Sequence, residues 1–376
     1  MLLQTFRESC EGEKAMIPNT PDWPIKIDLY SDTLTRPSEA MRHAMASAEV
    51  GDEQKGEDPS TNVLLNLVRE LLGKEEAVLL PSGTMCNEIA FAVHCRPGDE
   101  ILLDSTAHPL HYEAGAPAAL AGAMVRAIDG DHGIFTAEQV DAAVHPASRY
   151  APQSVLLSVE QTSNLGGGRC WPLEDIRSVT TAARRHGMRT HMDGARLFNA
   201  VVATGVAAQD YSAPFDSVFI DLTKGLGAPI GAVLAGDRDF IDKVWRLKQR
   251  WGGAMRQSGI IAAAGTYALT HNMHRLADDH ANALLLAEMI ATHPRILLDP
   301  TSVQTNIVIF DILNTTTTAE DLTRQLLQDS GIRVGAFGPT TIRAVTHLDV
   351  GTDKIPLVAE AICSALDSKN LATQGE

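Results

Sequence analysis

Between residues 61 and 292, short apolar runs alternate with amphipathic helical stretches, and that alternation limits the fold more than any other feature of the chain. A strand covered on both faces is a near-continuous run of branched residues, and a helix between two such runs returns the second parallel to the first. The runs are Ala77–Leu80, Ile101–Leu103, Met124–Ile128, Ser154–Val159, Thr190–Met192 and Phe215–Leu222, separated by helical patterns such as Leu173–His186. Asn62–Leu72 has apolar residues at helical spacing, and Gly73 closes it as a C-cap would. The expectation is an α/β fold with a mostly parallel sheet sandwiched by helices. A long helical tract over Ser258–Ile290 is interrupted at His293-Pro294. Beyond it, Asn306–Asp311 and Ile342–Thr346 are strand-like, Ala319–Asp329 and Pro356–Leu366 are helical, and Thr315–Thr318 is a polar turn. A smaller α+β C-terminal domain follows. The expected plan is an N-terminal extension over 1–26, a segment over 27–60 that contributes to the active site, a large α/β domain over 61–292 and a small domain over 293–376.

Composition narrows the function. The chain has 376 residues, 44% of them apolar, enough for two to three domains and a sizeable core. A net charge of −16 gives no extended basic field, which disfavours nucleic acid and anionic membrane surfaces as partners. The five cysteines, Cys10, Cys86, Cys95, Cys170 and Cys363, are scattered and form no CxxC pair, so no metal is expected and a reducing cytoplasm fits best. The first 26 residues carry acidic groups without a sustained apolar segment, unlike a signal peptide, and no window reaches the ~20 apolar residues of a membrane helix.

Two residues suggest the chemistry. Lys224 ends the apolar run FDSVFIDLT and opens a glycine-rich turn, and Asp193 ends another run 31 positions earlier, in MRTHMDGAR. In open α/β sheets ligands collect at the carboxyl ends of strands. Gly225 and Gly227 leave room there for a flat ring beside the backbone. A desolvated lysine gives up its proton more readily and forms Schiff bases, and an aspartate opposite a ring nitrogen keeps it protonated. Together they point to pyridoxal phosphate (PLP). Ser82-Gly83-Thr84, between a strand and a helix start, suits a phosphate as well as an N-cap turn. His108, in DSTAHPLHYEAG, is placed to stack on a ring or handle a proton, with His111 three positions on as an alternative. Arg196 can grip a carboxylate with two prongs, Arg343 can add a second grip, and Arg256 in WGGAMRQSG is a further phosphate contact. No strand leads into a GxGxxG turn, which makes a nicotinamide enzyme the poorer reading.

The runs IDLYSDTLTRPSEAM, LLPSGTMCN, AHPLHYEAG, HMDGARLFNAVVATG, DLTKGLGAPIGAVLAG, GGAMRQSGIIAAAGTYAL and IRAVTHLDV resemble those of the low-specificity L-threonine aldolases, within the β-eliminating lyases and the wider fold type I PLP enzymes. The resemblance extends from about Ile27 to the last helix. It implies that Lys224 forms the Schiff base, that Asp193 contacts the pyridine nitrogen and that His108 stacks on the ring. It also implies that Gly83 and Thr84 bind phosphate with Arg256 from a neighbouring subunit, and that Ser31, Arg196 and Arg343 bind the substrate carboxylate. A cytoplasmic homotetramer of tight dimers, cleaving β-hydroxy-α-amino acids to glycine and an aldehyde, is the implied enzyme. Rival readings are another reaction on the same cofactor (β-elimination, transamination or glycyl transfer) or a non-catalytic scaffold. The chain departs from the family pattern at Lys55-Gly56-Glu57-Asp58-Pro59, at Tyr150 and at Thr162-Ser163-Asn164, all around the leaving aldehyde.

Overall fold

The structure, a computed structural model, describes residues 23–313 and 317–368. The first 22 residues of the expected extension, with Thr315 and Thr316 of the polar turn, lie outside the described residues. The chain divides into two compact units: Thr35–Arg275, and a smaller one made of the segment up to Leu34 with Leu276 onward.

A two-residue strand, β1 (Ile27–Asp28), belongs to the small unit. The large unit is built on seven strands: β2 (Glu76–Leu80), β3 (Glu100–Asp104), β4 (Met124–Ile128), β5 (Ser154–Glu160), β6 (Arg189–Gly194), β7 (Ser217–Asp221) and β8 (Ala232–Gly236). Their order across the sheet is β2-β8-β7-β6-β5-β3-β4. Neighbours are parallel except at β8, which runs antiparallel to both β7 and β2. Six of the seven strands are the apolar runs of the sequence. The seventh, β8, is the return of a tight connection closed by Leu222 N donating to Gly231 O, too short to hold a crossover helix. β3, β7 and β8 are buried along their whole length, whereas β4, at the edge, exposes Met124.

Helices cover both faces. Ile89 of helix Gly83–His94 and Val244 of helix Arg238–Arg250 pack with Val78, Phe219 and Leu234 of the sheet. On helix Gly259–Tyr267, a Cβ at Gly265 would stand 2.7 Å from Leu222 Cδ1 and 3.1 Å from Leu64 Cδ2, so helix 59–72 and the strand end meet it at van der Waals distance only because that position is glycine.

The expected tract over Ser258–Ile290 is three pieces: Gly259–Tyr267, a π-helical turn Ala268–Asn272 and helix Leu276–Ile290. The last piece buries Ala283, Leu286, Ala287 and Ile290 against Val308, Phe310 and Ile342. The compact units therefore divide at Arg275/Leu276, where the sequence plan placed the limit at 292/293. In the small unit β9 (Ile296–Leu297), β10 (Ile307–Ile312), β12 (Gly335–Ala336) and β13 (Thr341–Val345) form an antiparallel sheet in the order β12-β13-β10-β9. β11 (Ile332–Arg333) pairs in parallel with β1. Helices Ala319–Ser330 and Ile355–Ser368 complete this unit. Among the described residues no helix is long and apolar enough to cross a membrane.

Candidate active site

Parallel strands put their carboxyl ends on one edge of the sheet, and here four of those ends carry a carboxylate: Asp104 on β3, Glu160 on β5, Asp193 on β6 and Asp221 on β7. Lys224 lies just past the last of them. Its φ of 55° is in the left-handed region, where a side chain with a Cβ is strained, and such strain gathers at functional sites. The conformation is held from both sides: Lys224 O accepts from Gly227 N at 3.0 Å and from Thr35 Oγ1 at 2.7 Å. Nζ donates to Asp221 Oδ2 at 2.8 Å, and Asp221 Oδ1 accepts from Thr223 N and Thr223 Oγ1. Gly194, Arg196, Asp221 and Lys224 line one cleft.

Asp193 is buried beside them. Its Oδ1 accepts from Ala195 N at 3.0 Å and its Oδ2 from Asn87 Nδ2 at 2.9 Å. The same amide group donates to Glu113 Oε1 at 2.9 Å, so Asn87 presents both protons to carboxylates and its Oδ1 to His191 Nε2 at 3.1 Å. Burial, with a smaller push from His94, drives His191 down to about 3, so its ring is neutral. With Nε2 the donor, Nδ1 accepts from Ser217 Oγ at 2.8 Å, and Ser217 Oγ accepts in turn from His94 Nε2 at 2.9 Å. Every proton in this chain is thereby assigned. It pins Asn87, and through Asn87 the carboxylate of Asp193, from beneath the sheet edge.

His108 opens a one-turn helix after β3, and Glu160 Oε2 accepts its backbone N–H at 2.8 Å. Its Nδ1 lies 2.8 Å from Glu113 Oε1. Burial works to lower the His108 pKa, but the Glu113 hydrogen bond and the charges of Asp193 and Glu160 outweigh it, and the ring sits above its ordinary value. His111 is engaged elsewhere, its Nε2 lying 2.8 Å from Ser105 O. Burial, then the charge of Asp193, lifts Glu160 to about 7, although the backbone N–H groups of His108 and Asn164 pull it down. Burial likewise raises Asp193 against the lowering influence of His108, Asn87 and Lys224. Both carboxyl groups are thus raised chiefly by their burial at this edge.

Gly83 and Thr84 form the first turn of helix Gly83–His94, whose N-cap Ser82 accepts from Met85 N at 3.2 Å. A Cβ on Gly83 would stand 2.9 Å from the Phe219 ring and 3.5 Å from Asp221 Oδ2, so this turn abuts the partner of Lys224. Arg196 is buried, its N bonded to Gln161 O and its Nη1 3.4 Å from Asn164 Oδ1. Arg256 is mostly exposed and pairs with Asp52 within its own chain at 3.1 Å. In the small unit Ser31 Oγ accepts from Thr33 N and Oγ1, while Arg343 is buried, stacks on Phe337 at 4.1 Å and lies 3.3 Å from Tyr30 O. Of the departures from the family pattern, Lys55 is exposed and Tyr150 is 81% exposed, whereas Ser163 is buried with Oγ accepting from Gly166 N. Among the described residues no group of three or more His, Cys, Asp and Glu is set to hold a metal ion.

The large unit therefore brings Lys224, Asp193, His108, Arg196 and the Gly83 turn to one edge. Sequence reading passed over Asn87, Glu88, Glu113, Glu160, Asp221 and His191. The signal for Asn87 and Glu88 was there: two polar residues inside the otherwise apolar helix TMCNEIAFAV.

The beta-eliminating lyase family model matches residues 28–313. Over 333 residues the chain is 37% identical to low-specificity L-threonine aldolase 1 of Arabidopsis thaliana, covering 88% of this chain and 93% of that one. It is 38% identical over 334 residues to the low specificity L-threonine aldolase of Escherichia coli (strain K12), covering 89% and 97%. In fold it is similar to the threonine aldolase of Leishmania major, with a TM-score of 0.76, 19% identity, and coverage of 89% and 98%.

Proposed function

Because the chain belongs to the beta-eliminating lyase family, we propose that it is a PLP-dependent aldolase that cleaves L-threonine-like and L-allo-threonine-like β-hydroxy-α-amino acids to glycine and an aldehyde. The observation that carries this reading is the placement of a strained lysine, Lys224, and a buried carboxylate, Asp193, at the ends of adjacent strands. The site suits the cofactor on its charge: burial raises both Asp193 and Glu160, and a protonated ring nitrogen beside Asp193 would offset that cost. PLP, when bound, supplies a carbonyl for imine formation and a ring that accepts the electrons of the broken Cα–Cβ bond.

The chain supplies everything else. Lys224 contributes the amine, and its ion pair to Asp221 keeps that amine at the cleft. Asp193 holds the proton on the ring nitrogen, while Asn87 stops the carboxylate from rotating. His108 has Nδ1 committed to Glu113, which leaves Nε2 to take the proton of the substrate β-hydroxyl. The backbone N–H groups at Gly83 and Thr84 receive the phosphate at a helix N-terminus, and Arg256 from a neighbouring subunit adds charge. Arg196 binds the substrate carboxylate and so orients the Cα–Cβ bond for cleavage. Ser31 and Arg343 are assigned to the same carboxylate through the motifs that hold them. The enzyme is further proposed to be a cytoplasmic homotetramer acting on small amino acids.

Substituting Lys224→Ala tests the core of this. The variant should lose both the visible absorbance of the Schiff base and glycine formation from threonine or phenylserine. Wild-type cleavage by that variant sinks the assignment, and pyruvate from serine or cysteine in place of glycine would move the reaction to β-elimination.

A further inference from the structure

Helix Gly83–His94 points one more carboxyl group at this site, and no step above uses it. Glu88, next to Asn87, is 2% exposed, and Glu113 is 3% exposed. Asn87, the residue before Glu88, donates to Glu113 Oε1 at 2.9 Å, and Glu113 in turn acts on Glu88 as a hydrogen-bond partner and as a like charge. Neither oxygen of Glu88 has a donor, and neither does Oε2 of Glu113. Three buried acceptors left unsatisfied in one place are costly, and two ionised carboxylates there repel. A single proton between them removes both penalties. Its location follows from the partners: Glu113 Oε1 already accepts from Asn87 and His108, which favours the anion there, whereas Glu88 has no donor to stabilise a charge.

We propose that Glu88 is a neutral carboxylic acid whose O–H donates to Glu113 Oε2, making it a positioning residue that fixes Glu113 and, through it, the Nδ1–H orientation and basicity of His108. Burial, reinforced by Glu113, pushes Glu88 up to about 10, in the same sense. The ionisable groups facing this assembly are His108 and Glu113 from the segment after β3, Asp193 from β6, Glu160 from β5, Lys224 after β7 and the Cys86 thiol on the helix of Glu88, with the amide of Asn87 beside Glu88. A carboxylate already accepting an O–H is a weaker acceptor for imidazole than an unshared one, so Glu88 restrains the upward shift that Glu113 imposes on His108. The role for His108 rests on the proposed aldolase reading; the shared proton rests on the burial of the two carboxyl groups and their missing donors.

The test is infrared spectroscopy of the purified protein with and without PLP, combined with NMR titration of the His108 ring. A glutamic-acid carbonyl band should persist at about pH 8, far above the ordinary carboxylate range, and disappear in Glu88→Gln. Because the amide can still donate to Glu113, Glu88→Gln should leave the His108 midpoint where it was, while Glu88→Leu should raise it by about one pH unit. A wild-type spectrum without that band, or a His108 midpoint unmoved or lowered in Glu88→Leu, overturns the proposal. Neither readout uses turnover, so loss of the aldolase reading would show separately, as a protein with the band but without PLP binding or glycine release.

Discussion

Lys224 was legible as a residue type at a strand end, but its left-handed backbone and its pairing with Asp221 were not. The i, i+3 spacing of Asp221 and Lys224 gives no reason to expect contact outside a helix; here Asp221 Oδ1 accepts from Thr223 N and Oγ1 at the bend before Lys224, and Oδ2 is left to meet the lysine. Arg196 makes the sharpest prediction at this scale. Its guanidinium is buried and planar, and a lysine at the same place offers one point charge where a fork is needed. Arg196→Lys should raise the KM for threonine about 10- to 100-fold with PLP content unchanged, the loss of one charge-assisted hydrogen bond being on the order of 1.5–3 kcal/mol. Steady-state kinetics alongside cofactor absorbance measure this, and an unchanged KM would remove Arg196 from the carboxylate site.

Elements came through the sequence unevenly. The parallel strands were visible because each is a branched run followed by a helix, whereas β8 escaped because a short antiparallel return carries no helical pattern to mark it off. The helical tract after Ser258 kept its apolar spacing across breaks that depend on local backbone geometry, so the π-helical turn at Ala268–Asn272 left no trace. Packing between elements exposes a position the motif alone could not explain. A Cβ on Gly194, at the end of β6, would lie 2.2 Å from Phe219 O, a backbone atom of the neighbouring strand that cannot swing aside. Gly194→Ala should cost about 1–3 kcal/mol of stability and weaken PLP binding by displacing Asp193 next to it. Thermal melts and PLP titration read both; a variant that melts and binds like the wild type would show that β6 and β7 can separate at no cost.

For the whole molecule, the buried ionisable groups set how stability varies with pH. His94 and His191, driven down to about 4 and about 3 by burial, bind fewer protons folded than unfolded, so they take stability away as pH falls below about 6.5. Glu160 and Glu88, raised to about 7 and about 10, have the opposite sign: they hold protons that the unfolded chain has released above about 4.5, and their contribution is lost as pH rises toward the folded values. Near pH 8 the two histidines are almost wholly neutral in both states, and the Glu88 proton should lower stability by about 1.4 kcal/mol per pH unit. His108, raised in the fold, adds in the same direction. Denaturant unfolding of the cofactor-free protein should show that slope flatten in Glu88→Gln, and equal slopes would contradict it. Side-chain chemistry and local periodicity, both carried by neighbouring residues, sufficed to determine the α/β class, the family motifs and the placing of a lysine and an aspartate at strand ends. What only tertiary structure decided is the wiring beneath them: Asn87, Glu113, Glu160 and His191 come from separate helices, loops and strands. Their roles rest on hydrogen bonds across spacings of 26 to 106 residues, which no pattern in a local window encodes.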